Sequence, residues 1–197
     1  GVNNVYDITI AFSDGTNDLA AQTTAITVTD ANDQTPAVSV ASTYSHAEAT
    51  ATTFQTYTIT DSDTTGTYTC TLAGDDAADF TASISAKVCT VVWAAAPNYE
   101  SPTDDDTDNV YDITIAFSDG TNDLTAQTTA VTVTDANDQT PAVTVASTYS
   151  HAEATATTFQ TYTITDSDTT GTYTCTLAGD DAADFTASIS AKVCTVV

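Results

Sequence analysis

The chain has 197 residues and a formal net charge of −25, from 27 acidic against two basic side chains, with no Arg. So acidic a surface excludes binding to a nucleic-acid backbone, which needs a basic face to displace counterions, and excludes a polybasic membrane anchor. Hydrophobic residues, at 41%, suffice for packed cores, and no apolar run reaches the roughly 18 residues of a membrane-spanning helix.

Thr, a strand-favouring residue, fills 46 positions. Taken in chain order, hydrophobic residues recur with period two rather than 3.6. The segments 37–42, 52–60 and 66–73 read as strands, the last with Tyr68, Cys70 and Leu72 alternating with Thr67, Thr69 and Thr71. Segments 79–84 and 87–93 follow. In 109–118, Tyr111, Ile113, Ile115 and Phe117 point one way; in 125–135, Val131 and Val133 alternate with Thr132 and Thr134. Short strands between Asp, Gly, Ser and Pro turns predict an all-β, seven-stranded Greek-key β-sandwich.

The segment Asn4–Val92 aligns with Asn109–Val197 at an offset of 105, with only Ala20/Thr125, Ile26/Val131 and Ser39/Thr144 differing. That period is the size of an independent domain and too long for a solenoid unit. Residues 36–140 are expected to form one complete repeat. Residues 1–35 would be the C-terminal part of a preceding repeat, and 141–197 the N-terminal part of a following one. Two readings are compatible with this division: a window on a longer array, which is favoured, or partial repeats that complete each other between chains by strand donation.

Each repeat holds two cysteines, Cys70 and Cys89, with copies Cys175 and Cys194. Both fall on inward strand faces, which fits one disulfide per repeat or a pair of reduced core thiols. A zinc site is excluded, since two Cys without a nearby His do not make four ligands.

The carboxylates form an ordered set. It comprises Glu48 and Glu153 in SHAEAT, DSD at 61–63 and 166–168, Asn98 and Glu100 in PNYE, SDG at 13–15 and 118–120, and DANDQTP at 30–36 and 135–141. In kind, order and spacing this set resembles cadherin and bacterial cadherin-like repeats, with their early Glu, DxD, (D/N)xE, acidic turn and DxNDxxP linker. The resemblance implies Ca2+ held between consecutive domains. At the first junction it implies ligands from Asn32, Asp33, Asp61, Asp63 and Asp119. At the second it implies Glu48, Asn98, Glu100, Asn137, Asp138, Asp166 and Asp168, while Asp14 and Glu153 would serve neighbouring junctions. Asn98 stands where the family usually has Asp, which weakens that ligand. The chemistry agrees, since Ca2+ takes roughly six to eight oxygen ligands. The run TDDDTD at 103–108 reads as a solvated loop, Asp75, Asp76 and Asp79 as turn residues, and His46 and His151 as exposed.

Calcium and disulfides both belong outside the cell, so the chain is expected to be secreted or at the cell surface, with Cys70–Cys89 and Cys175–Cys194 bridged. No nucleophile–base constellation of an enzyme is present in the sequence. The expected function is a structural repeat of an extracellular filament or adhesin stalk, stiffened by calcium and partnered with its own neighbouring repeats. The alternative is a carbohydrate-binding or surface-binding module, including an ice-binding one.

Overall fold

The computed structural model describes residues 3–49, 52–153 and 157–197; the last residue of the first SHAEAT motif, and the last two of its copy, lie outside them. The described residues contain twelve strands and two single-turn 3-10 helices. A hairpin, β1 (Val5–Ser13) and β2 (Asp18–Thr27), comes first. Then follow β3 (Thr43–Ala47), β4 (Thr53–Thr58), β5 (Thr69–Ala73), β6 (Phe80–Ser85), β7 (Val88–Trp93), β8 (Val110–Ser118) and β9 (Gln127–Thr134). A last group is β10 (Gln160–Thr163), β11 (Ala187–Ser190) and β12 (Val193–Val196).

Strands β3 to β9 build a β-sandwich from one sheet of order β3-β9-β8-β5 and another of order β4-β7-β6. All pairings are antiparallel except β3 with β9, which run parallel from Thr43↔Ala130 to Ala47↔Thr134. The period-two pattern explains why the sheets close on each other. Tyr111, Ile113, Ile115 and Phe117 of β8 are all 2% exposed or less, facing Tyr57, Ile59, Val91 and Trp93 of the second sheet and its edge. Trp93 stacks tilted against Phe80 at 4.1 Å and edge-on to Tyr111 at 4.9 Å, arrangements that aromatic quadrupoles favour. The Cys70–Cys89 disulfide ties β5 to β7, and so one sheet to the other, and Cys175–Cys194 is its counterpart.

One expected strand is displaced. Residues 37–42 form no strand beyond an isolated bridge between Ala37 and Thr60, and β3 starts at Thr43 instead. The reason is a side chain that stands in for a strand. The Gln127 amide accepts from the Val40 N–H at 3.1 Å and donates to the Val38 carbonyl at 3.3 Å, while Val38 and Val40 still pack on the core. His46 is also not simply exposed, because its ring lies 5.5 Å from Trp93. Asp76 does more than make a turn: 5% exposed, it accepts from the N–H groups of Asp105 at 2.8 Å and Asp112 at 2.7 Å, pinning the 103–109 loop to β8.

The copies outside the sandwich behave differently. Strands β10, β12 and β11 pair as β4, β7 and β6 do, but 148–152 and 174–178, the copies of β3 and β5, form no strand. Val143, Val145, Phe159, Ile164, Leu177 and Val196 line an open apolar trough there.

Candidate metal centre

Acidic side chains gather at both ends of the sandwich. At the first, following the linker 30–36, one carboxylate oxygen from each of Asp61, Asp63 and Asp119 lies within 4.8 Å of the others. Asp119 is fully buried and accepts from the N–H groups of Thr121 at 2.8 Å and Asn122 at 2.7 Å. Burial alone would raise its pKa, but the N–H donors of Asn122 and Thr121 outweigh it and hold the carboxyl at about 2. The linker is drawn in from the other side. Asn32 donates to the Asp119 carbonyl at 3.3 Å and to Thr121 at 3.0 Å, and the Gln34 N–H donates to Asp63 at 2.7 Å. Gly66, at φ +146°, permits this closeness, since a Cβ there would sit 3.3 Å from the Asp119 carbonyl. The Asn32 Oδ1 is buried with no donor.

The second end is more crowded. Glu48, Glu100 and Asp138 share one 4.8 Å cluster, and Glu100, Asp135 and Asp168 share another, so Glu100 belongs to both. Glu48 is locked by the Tyr99 N–H at 2.6 Å and the Ala136 N–H at 2.7 Å. Asp168, fully buried, accepts from the Gln139 N–H at 2.9 Å through Oδ2 and leaves Oδ1 without a donor. Both Glu100 oxygens and the Asp135 Oδ1 are likewise buried without a donor. Burial raises the Glu100 pKa, and the charges of Glu48, Asp168 and Asp138 raise it further. Four chain segments thus bring carboxylates together: those of Glu48 and Glu100 before the linker, the linker itself, and that of Asp168 after it.

Comparisons with solved structures bear on this geometry. The protocadherin GammaB4 extracellular domain matches 98% of this chain over 32% of its own, at 21% identity and a TM-score of 0.54. Protocadherin Gamma B7 extracellular cadherin domains 1-4 match 99% over 49%, at 18% identity and 0.56. The human desmocollin-1 ectodomain matches 68% over 28%, at 14% identity and 0.53. The fold is cadherin-like. The chain spans between about a quarter and a half of these three structures. No protein-family model matches it, and no curated protein does.

In the cadherin-like frame, the residues expected as ligands fall into three groups. Asp61, Asp63, Asp119, Glu48, Glu100, Asp138 and Asp168 come together in the clusters above. Asn32 and Asn137 lie against the glycines of the DSDTTG loops, Gly66 and Gly171. Others are spent on local structure. Asn98 gives its Oδ1 to the N–H groups of Glu100 at 2.9 Å and Ser101 at 3.1 Å. Asp166 accepts from the Tyr173 hydroxyl at 2.9 Å and the Asp168 N–H at 3.2 Å, bonds that Asp61 also makes with Tyr68 and Asp63, but unlike Asp61 it joins neither cluster. Asp33 accepts from the Gln34 amide at 2.8 Å. Asp14 is exposed and held by Thr16 and Asn17, while Glu153 is exposed.

Sequence reasoning passed over Asp30 and Asp135, the first residues of the two linkers. Asp30 accepts from the Thr64 N–H at 2.6 Å and hydroxyl at 2.7 Å, and these bonds lower its pKa. Asp135 does the same with Thr169 and adds an oxygen to the second cluster. It also passed over the lysines. Lys87 donates to the carbonyls of Asp61 at 2.9 Å and Asp63 at 3.2 Å, and Lys192 repeats this on Asp166 and Asp168. The signal was available, because these are the only basic residues other than His.

The donor set suits a hard cation. At the second end the carboxylate oxygens of Glu100, Asp135 and Asp168 that are buried without donors carry negative charge, and the two lysines spend their bonds on backbone carbonyls of the DSD loops. Ca2+ would neutralise that charge.

Proposed function

We propose that this chain is part of an extracellular array of cadherin-like repeats, with residues 36–140 as one complete repeat flanked by parts of two others, and that calcium at the junctions stiffens it into a filament or adhesin stalk. The observation that carries this reading is Glu100, whose two buried oxygens have no donor and stand in two carboxylate clusters at once. Glu48 and Glu100, Asp135 and Asp138, and Asp168 would hold the ions. Their charge would cross-link the segments before, within and after the linker and remove its freedom to bend. Asn32, Asp61, Asp63 and Asp119 would do the same at the other end. The neighbours' cadherin ectodomain fold, the disulfides and the acidic surface fit an extracellular, non-enzymatic role with like repeats as partners. A sugar-binding or ice-binding face finds less support. The one Trp is buried, and only Thr69 and Thr71 of the expected Thr row lie on a strand.

Thermal unfolding and small-angle scattering of the 197-residue chain, with calcium and with excess chelator, test the proposal. Chelation is expected to lower the melting temperature and make the particle more flexible, and Asp138→Ala is expected to do so at one junction only. Identical melting and shape in both conditions would overturn it.

A further inference from the structure

The acidic loop 103–109 is not the freely solvated run its composition suggests. It lies between β7 and β8, and it is not one of the two linker clusters. One carboxylate oxygen from each of Asp104, Asp106 and Asp108 lies within 4.8 Å of the other two. Asp106 and Asp108 are exposed, whereas Asp104 is only 3% exposed.

Asp104 supplies an independent sign of a ligand. Its Oδ2 is committed to the N–H groups of Asp108 at 2.7 Å and Asn109 at 3.2 Å. Its Oδ1 is buried with no donor, in a chain whose two lysines are engaged on the DSD loops. A buried carboxylate oxygen without a donor costs stability unless a charge meets it. Asp106 and Asp108 each bring a carboxylate oxygen within 4.8 Å of this carboxylate, and both lysines lie on the DSD loops. The loop itself is well anchored, because Asp76 holds the Asp105 N–H and Asp108 holds the Val110 N–H at 2.8 Å.

From this geometry we infer that Asp104, Asp106 and Asp108 form a calcium site within the repeat, separate from the junctions. Alternate residues of a tight loop aim their side chains at one point, as the first, third and fifth positions of helix-flanked calcium loops do. Asn109, with φ +66°, takes the place where such loops turn sharply on a glycine. The position that would supply a bidentate Glu is Ile115, fully buried in β8, so water completes the shell. Such a site is weak, with a dissociation constant of about 10⁻⁴–10⁻³ M, the range of extracellular modules.

The experiment is calcium titration of the full chain by calorimetry, for the unaltered protein, the double variant Asp106→Asn/Asp108→Asn, and Glu100→Gln. Both altered loop residues are exposed, so the fold is expected to persist, as circular dichroism will check. The double variant should lose one weak binding event and keep the events that Glu100→Gln removes. Terbium luminescence sensitised through Tyr111, whose hydroxyl accepts from the Thr103 N–H at 3.1 Å, should fall in the double variant. Unchanged stoichiometry and terbium signal in the double variant would overturn the site. Equal occupancy by Mg2+ would overturn its assignment to calcium. Junctions that bind nothing while the loop still binds would defeat the function proposed above and leave this inference standing.

Discussion

Residues 37–92 and 142–197 have almost the same sequence and half the same structure. The three-stranded sheet forms in both, as β4-β7-β6 and as β10-β12-β11. Strands β3 and β5 form only in the first copy, where β9 and β8 lie beside them. The hairpin sequence gives the mirror case. Ile8, Ile10 and Phe12 of β1 are 41%, 40% and 56% exposed, whereas Ile113, Ile115 and Phe117 of β8 are all 2% or less. Alternation is therefore enough to make a ribbon, and the second sheet is what makes it a core. Strands whose partners are near in sequence need nothing else, while β3 and β5 depend on a hairpin some forty or more residues away.

Several measurements would break or sharpen that contrast. The largest effect is expected from Ile115→Ala, which should cost about 2–5 kcal/mol in denaturant unfolding of the sandwich. Next, Cys70→Ser/Cys89→Ser should cost about 3 kcal/mol, as loss of a loop-closing bond between sheets. Cys175→Ser/Cys194→Ser should leave the sandwich transition where it is. If both pairs shift it equally, the last group of strands is not independent of the sandwich.

The two ends of the sandwich should respond to acid with opposite sign. The Glu100 pKa is raised, so the folded protein holds that proton more tightly than the unfolded chain. In chelator, its contribution therefore makes stability rise as pH falls from neutral through its folded value. Glu100→Gln should raise the chelated melting temperature at neutral pH and remove that slope. Asp119 is depressed to about 2, so its contribution is present above the ordinary 3.8 and is lost as pH falls from there towards 2. Asp119→Asn should lower stability at neutral pH and converge with the unaltered protein in strong acid. The smallest effect belongs to Ile10→Ala, within about 0.5 kcal/mol, because no second sheet covers its side chain, which is 40% exposed.

Most strands were legible in the sequence because period two is a local property, whereas the cysteine pairing was expected only through the extracellular setting that the resemblance implied. That Glu48, Glu100, Asp138 and Asp168 belong to one junction was implied by the resemblance to cadherin-like repeats, and their carboxylates fall into two clusters that share Glu100. What the sequence did not disclose were the exchanges between backbone and side chain. The pattern of 37–42 is a strand's, and only Gln127, distant in sequence, explains why the ladder begins at Thr43. Asn98 has the residue type of a ligand, but its oxygen is captured by the turn it starts. Asp135 looked like the edge of a motif until Thr169 fixed one oxygen and left the other facing Glu100. Asp104 looked like one of several solvated acids, and burial sets it apart.

The parallel pairing of β3 with β9 has a consequence for any load that the sandwich would take. One linker leads towards β3 and the other leaves from β9. Tension applied through the linkers would slide the two strands past each other along their length. The five paired positions from Thr43 to Ala47 would then bear that pull together, in shear, instead of parting one after another as a peeled edge does. The Cys70–Cys89 bond would keep the segment between those residues from lengthening even after the strands yielded. Under such a pull, resistance would lie in one short parallel ladder, and one covalent bond would withhold the residues between Cys70 and Cys89 from the extended length.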